Sequence, residues 1–169
     1  MLEIPDRAGP GVDERADEMD VVRGERAAQE IVGLHESVRL DELREFFPRA
    51  MAAAAEALGA RGVDPAGPAV ALYEGMDAET FDVTAGYPVP SGAAPSDDVV
   101  AAMLPAGATV EVIHRGPYET LPATYEELTA WFEENGMSRP PVMWEEYLVG
   151  PESEADPGQW QTRIVYPVG

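Results

Sequence analysis

The chain has 169 residues, enough for one domain with a sizeable core, and its 45% apolar content is ordinary for a globular protein. Its 32 acidic and 11 basic residues, every base an Arg, leave a net charge of -21, which argues against direct nucleic-acid binding and mildly favours cationic partners. With no cysteine there is no disulfide, thiolate metal site or cysteine nucleophile, and no apolar run approaches the ~20 residues of a membrane span.

Residues 1–18 are rich in acids, Gly and Pro and poor in large apolar groups, which predicts an acidic flexible tail. The start of the chain lacks a basic-then-apolar signal pattern, so a cytoplasmic location is expected. The globular domain is placed at 19–169. Ile31 to Val38 alternates as a strand does. Leu40, Leu43, Phe46, Phe47, Met51 and Leu58 then recur at helical spacing through an Ala run, with Gly59 and Gly62 as stop signals. Pro48 inside this pattern predicts a kink or a helix starting near Phe47. Two strands follow, in Pro68–Gly75 and Glu79–Val89, and a short helical turn is expected over Asp97 to Leu104. The second half repeats the order: a strand in Ala108–Gly116, a helix over Leu121–Gly136, and strands in Pro140–Gly150 and Gln159–Val168.

Residues repeat as well as elements. Phe81–Val89 aligns with Trp160–Val168, each an aromatic followed by Tyr-Pro-Val. Pro68–Glu74 aligns with Pro141–Tyr147, and His35 and His114 each end the first strand of a half. Two β-α-β-β units, over about 19–90 and 106–169, therefore predict a pseudo-two-fold α+β fold.

The segment VMWEEYLVGP, Val142 to Pro151, reads as a buried strand with two carboxylates in its middle. Glu145 and Tyr147 share one face, Trp144 and Glu146 the other. A glutamate beside aromatics has three uses: counter-ion to a cationic ligand, general base with a raised pKa, or structural carboxylate bonded to Tyr or Arg. The two histidines lack metal-ligand spacing and read as structural, so no metal or cofactor is expected. Trp131 and Tyr125, on one helix face, read as core. Tyr118, in HRGPYETL at a helix start, is the better site candidate. There is no GxSxG, Walker loop or dinucleotide fingerprint.

IHRGPYETL, YEELTAWFEENG, WEEYLVGP and RIVYPV, in that order, resemble the gyrase-inhibitor-like (GyrI-like) family, which includes effector-binding domains of AraC-type and MerR-type multidrug regulators. The resemblance runs from about Met19 to Val168. It implies a duplicated β-α-β-β fold with an antiparallel curved sheet, two main helices and a concave, aromatic-lined cleft whose glutamate receives lipophilic cations. On that implication Glu145 is the pocket carboxylate and Glu146 an outward charge, with Tyr147, Tyr118, Tyr73, Phe81 and Trp131 lining the site. No helix-turn-helix precedes Met19, so a standalone member is expected. Some such members resemble hydrolases that open cyclopropanes of DNA-alkylating natural products, which would make Glu145 and Tyr147 catalytic. Others sequester drugs or bind a protein partner such as a topoisomerase. The ligands implied are small amphipathic aromatic or cationic molecules, with neither nucleic acid nor membrane as a direct partner.

Overall fold

The computed structural model describes residues 20–76, 79–90, 99–151 and 153–168. The 1–18 tail and Asp97-Asp98 lie outside the described residues. In chain order the elements are β1 (Val22–Arg26), β2 (Gln29–Arg39), α1 (Leu43–Arg61), β3 (Val70–Met76), β4 (Thr80–Pro88), β5 (Val100–Leu104), β6 (Gly107–Arg115), α2 (Leu121–Glu134), β7 (Met143–Val149) and β8 (Gln161–Pro167). Short 3₁₀ turns at Leu40–Glu42 and Tyr118–Thr120 lead into the two helices. Among the described residues no helix is long and apolar enough to cross a membrane.

One antiparallel sheet runs in the order β1-β6-β8-β7-β3-β4-β2-β5. Exchanging the two halves of the chain returns the same order reversed, so the duplication holds at the level of topology. Each β-α-β-β unit carries one additional leading strand, β1 or β5, and the units trade them: β1 pairs with β6 and β5 with β2. Neither leading strand is legible in the sequence. The turn expected over Asp97–Leu104 is strand β5 from Val100 onward, because pairing with β2 and burial of Leu104 outweigh the helix propensity of Ala101 and Ala102.

The pseudo-dyad can be located. A register shift falls between Tyr73 and Gly75 in β3 and between Tyr147 and Val149 in β7. Equating these bulges matches Tyr73 with Tyr147, one residue off the sequence alignment of the two strands. The dyad then passes through the cross-strand pair Ala71–Glu145. The Tyr-Pro-Val correspondence holds, since Tyr87 and Tyr166 both pack on the helix side. The histidine correspondence does not. Leu34 faces α1, so alternation sends His35 to the opposite face, where it meets Asp82. His114 lies on the helix face and bonds Thr124 of α2.

Both helices cover the same sheet face. Phe46 and Ala50 of α1 pack on Val38, Ala71, Val83 and Ala85, while Leu128 and Phe132 of α2 pack on Val110, Val112, Met143 and Ile164. Helix α1 runs through Pro48 without interruption and ends at Gly62, whose left-handed conformation (φ 67°) lets Val63 N–H bond Leu58 C=O at 3.0 Å. On the other face the sheet curls inward: Leu104 of edge strand β5 reaches Val70, Leu72 and Trp144 at the centre. The curl draws β2 and β4 together at the facing pair Gly33–Gly86. A Cβ on Gly86 would stand 2.0 Å from the Val32 carbonyl oxygen, and one on Gly33 2.3 Å from that of Ala85. Gly86→Ala should therefore cost about 1–3 kcal/mol and lower the thermal midpoint by several degrees. An unchanged midpoint in calorimetry would contradict this close crossing.

Candidate functional site

Strand β7 lies at the sheet centre, and its alternation separates the two glutamates. Glu145 projects toward the helices and Glu146 away from them, yet both are buried, at 6% and 8% exposure. Glu146 is therefore not the outward charge expected of it. Arg26 Nη1 donates to it at 3.0 Å, Arg163 Nη1 at 2.8 Å and the Trp144 indole N–H at 3.0 Å. Arg26 also pairs with Glu111 at 2.9 Å, which accepts from Thr109 at 2.7 Å. Burial alone would raise the Glu146 carboxyl, but the arginine and indole hydrogen bonds outweigh it and hold the group below the usual carboxylate range. Because β1 is two strands removed from β7, the Arg26–Glu146 pair also fastens the curl.

Glu145 is solved differently. The Tyr147 hydroxyl donates to Oε1 at 2.6 Å and the Tyr125 hydroxyl donates to Oε2. Among the described residues no arginine forms an ion pair with it. Burial raises its carboxyl above the usual range, and the two tyrosine hydrogen bonds and the nearby His114 only partly offset that. The surrounding phenols respond in kind. Burial and then the Glu145 charge push Tyr73, Tyr125 and Tyr147 well above the ordinary tyrosine range, and burial takes Tyr166 up to about 12. The centre is a desolvated carboxyl group held by neutral donors.

Aromatic walls come from both helices and three strands. Phe47 of α1 meets Tyr147 edge-on at 6.1 Å between ring centroids. Tyr73 sits beside Tyr147 and meets Phe81 edge-on at 5.7 Å. Tyr118 packs on Tyr147 at 6.0 Å and on Trp160 at 5.0 Å, and at 37% exposure it is the most open of the site's aromatics. The HRGPY motif explains its placement. Gly116 (φ 119°) makes a turn closed to non-glycine residues, its N–H bonds Trp160 C=O at 2.8 Å, and His114 ties Thr124, Thr120 and the Pro117 carbonyl at 2.7–3.1 Å. His114 thus anchors the turn that presents Tyr118.

Of the residues expected to line the site, Tyr147 bonds Glu145, Tyr73 stands beside both, and Phe81 and Tyr118 form an outer ring, packed on Tyr73 and on Tyr147. Trp131 does not join them: it packs on Phe132 with the Arg23 guanidinium 5.4 Å over its ring, so an internal cation already occupies that face. Tyr125, read as core from its helix face, does pack against the core beneath α2, and its hydroxyl is also a direct partner of Glu145. Its signal was available only as a polar tip among apolar neighbours. Phe47 and Trp160 were likewise not assigned to the site. A separate groove of about 830 Å³ follows β6 and the start of α2, with Asp20, Arg115, Thr124 and Arg163 among its walls; Glu145 is not part of it. Among the described residues no group of three or more His, Cys, Asp or Glu is placed to hold a metal.

A family model for the GyrI-like small molecule binding domain matches residues 19–168. Among solved structures the chain is similar to EcmrR in a complex with DNA (23% identity, TM-score 0.78), covering 92% of this chain and 59% of that one. The chain therefore spans about three fifths of EcmrR. It is also similar to the isolated EcmrR C-terminal domain (22% identity, TM-score 0.77; 89% and 98% covered) and to SAV2435 bound to tetraphenylphosphonium (13% identity, TM-score 0.65; 89% and 94% covered). At these identities the likenesses show the fold. No curated protein matches.

The two glutamates should separate in a stability measurement. Glu146→Gln leaves two arginines short of a carboxylate and should cost about 3 kcal/mol at pH 7. Glu145→Gln should lose nothing. Because the folded-state pKa of Glu145 is raised, its penalty is absent at low pH and appears as pH rises through that value. The advantage of Glu145→Gln over wild type should therefore grow between pH 4 and pH 8 in denaturant titrations. Equal losses for the two variants would contradict the contrast.

Proposed function

The chain belongs to the GyrI-like small molecule binding domain family, and from that premise we propose that it receives lipophilic, aromatic, often cationic compounds at Glu145. The observation that carries this reading is the buried carboxyl group whose partners are neutral phenols. A positive charge brought next to it would replace two tyrosine hydrogen bonds with a desolvated ion pair and recover what burial costs the carboxylate. The aromatic rings supply cation-π contact and apolar area, worth about 25 cal/mol per Å² buried. Binding of tetraphenylphosphonium by SAV2435, which shares the fold, supports the same ligand chemistry. Since Glu145 is sealed by Tyr125 and Tyr147, entry requires ring displacement, and Tyr118 is the side chain best placed to yield. In this reading the protein senses or sequesters such compounds.

A second reading rests on the same carboxyl group. A glutamate with a raised pKa, hydrogen-bonded to Tyr147, has the components for general acid–base hydrolysis of a cyclopropane conjugated to a carbonyl. Glu145 takes a proton from water as the water oxygen bonds a ring carbon. The ring C–C bond breaks and its electron pair passes to the carbonyl oxygen, the Tyr147 hydroxyl steadies that enolate, and Glu145 returns the proton to it. A cyclopropane conjugated to a carbonyl is a fitting electrophile. Loss of its conjugated absorbance in wild type but not in Glu145→Gln would establish hydrolysis; binding without turnover leaves the first reading.

The binding test is fluorescence anisotropy with a rhodamine-type cation and a neutral analogue of like shape. Glu145→Gln should weaken the cation at least tenfold, about 1.4 kcal/mol, and the neutral compound little. Cation affinity in wild type should fall as pH drops through the raised pKa of Glu145, because protonation removes the counter-charge. Equal loss for both compounds, or affinity that does not vary over pH 4–8, would remove Glu145 from the role of counter-ion.

A further inference from the structure

Thr162 is fully buried, and among the described residues its Oγ1 is the buried side-chain polar atom that finds no hydrogen-bond partner. Its direction follows from β8. Ile164 and Tyr166 pack under α2, so alternation turns Thr162 to the same helix-covered face as Glu145. Its cross-strand neighbours are His114 on one side and Tyr147 on the other. Both have polar groups, and both are engaged elsewhere. The His114 ring nitrogens serve Thr124, Thr120 and Pro117, and the Tyr147 hydroxyl serves Glu145. A buried hydroxyl of this kind is rare and calls for an explanation, which a ligand arriving from outside the fold would supply.

The position of Thr162 points to that partner. Two aromatic neighbours bracket it, Tyr147 across the strand and Trp160 two residues before it in sequence, and Tyr118 packs on both of their rings. A ligand ring that takes the place of Tyr118 therefore comes down beside Thr162. Glu145 stands opposite Ile164, two residues along β8, so Glu145 and Thr162 are diagonal neighbours on one face of β7 and β8, roughly 7–8 Å apart at the backbone.

We propose that Thr162 is a specificity-determining contact of the ligand site, selecting aromatic cations that carry a neutral hydrogen-bonding group, a hydroxyl or carbonyl, on a ring beside the cationic centre. The proposal rests on the reading of Glu145 as counter-ion and adds to it a second polar point. A hydroxyl in a closed apolar wall discriminates between otherwise equal ligands because the analogue lacking a partner group leaves it unpaired.

The test uses two probes of nearly identical shape, tetraphenylphosphonium and its mono-(4-hydroxyphenyl) derivative, titrated calorimetrically into the full chain. Wild type should prefer the hydroxylated probe about tenfold. Thr162→Val should bring the ratio of the two affinities to about one, and Thr162→Ser should keep the preference. The thermal midpoint of unliganded Thr162→Val should not fall below that of wild type, since no internal bond is lost. A preference that survives in Thr162→Val, or equal affinities in wild type, would overturn the Thr162 assignment while leaving Glu145 in place. A midpoint lowered by several degrees in Thr162→Val would also overturn it, by showing a structural partner for the hydroxyl. Failure of wild type to bind either probe would overturn the counter-ion reading and this proposal together.

Discussion

The cross-strand pair Ala71–Glu145 sits where the two halves of the chain meet, and the arrangement of the site follows from it. A residue on a dyad faces its own repeat equivalent. Two glutamates there would set like charges directly opposite each other in a buried sheet, which is destabilising. The duplicated chain resolves this by asymmetry: Ala71 gives up its side chain and Glu145 takes the space. The flanking positions stay matched as Tyr73 and Tyr147, so one carboxyl group inherits aromatic neighbours from both repeats. Helices α1 and α2 then close over it from either side, through Phe47 and Tyr125.

Two adjacent glutamates on one strand thus meet opposite fates. Glu146 is charge-balanced by Arg26 and Arg163 and binds the rim of the curled sheet to its centre. Glu145 has phenols where Glu146 has guanidinium groups. In a chain with 11 Arg and 32 acids, bases are scarce, and the two that pair with β7, Arg26 and Arg163, meet Glu146 on the face away from the helices. The result is a sheet whose one face is stabilised by charge and whose other face retains an unbalanced carboxyl group.

Much of this was legible from residue pattern. Helical periodicity located both helices, the repeat of Tyr-Pro-Val exposed the duplication, and the alternation of VMWEEYLV set Glu145 and Tyr147 on one face and Trp144 and Glu146 on the other. What escaped depended on partners distant in sequence. Strands β1 and β5 are short and carry little alternation; they exist because the opposite half offers an edge. The burial of Glu146 needed Arg26, which no local pattern connects to it. Tyr125 and Trp131 lie on one helix face and look alike in sequence, yet one reaches Glu145 and the other stacks under Arg23. The histidine match was misleading because a single step in strand register exchanges faces, and only the pairing with β4 and β8 fixes that register. Thr162 carries no sequence signal at all, since its distinction lies in what its neighbours already bond.

The central claim is that Glu145 is a buried carboxyl group lacking a counter-charge, and its own titration tests that most directly. Carbon-13 NMR of the glutamate carboxyls, with the Glu145 signal assigned by its disappearance in Glu145→Gln, reads the midpoint without reference to any ligand. The account predicts a midpoint clearly above the ordinary value of about 4.3, moving downward when a lipophilic cation is added. A midpoint at or below the ordinary value, unmoved by the cation, would contradict it.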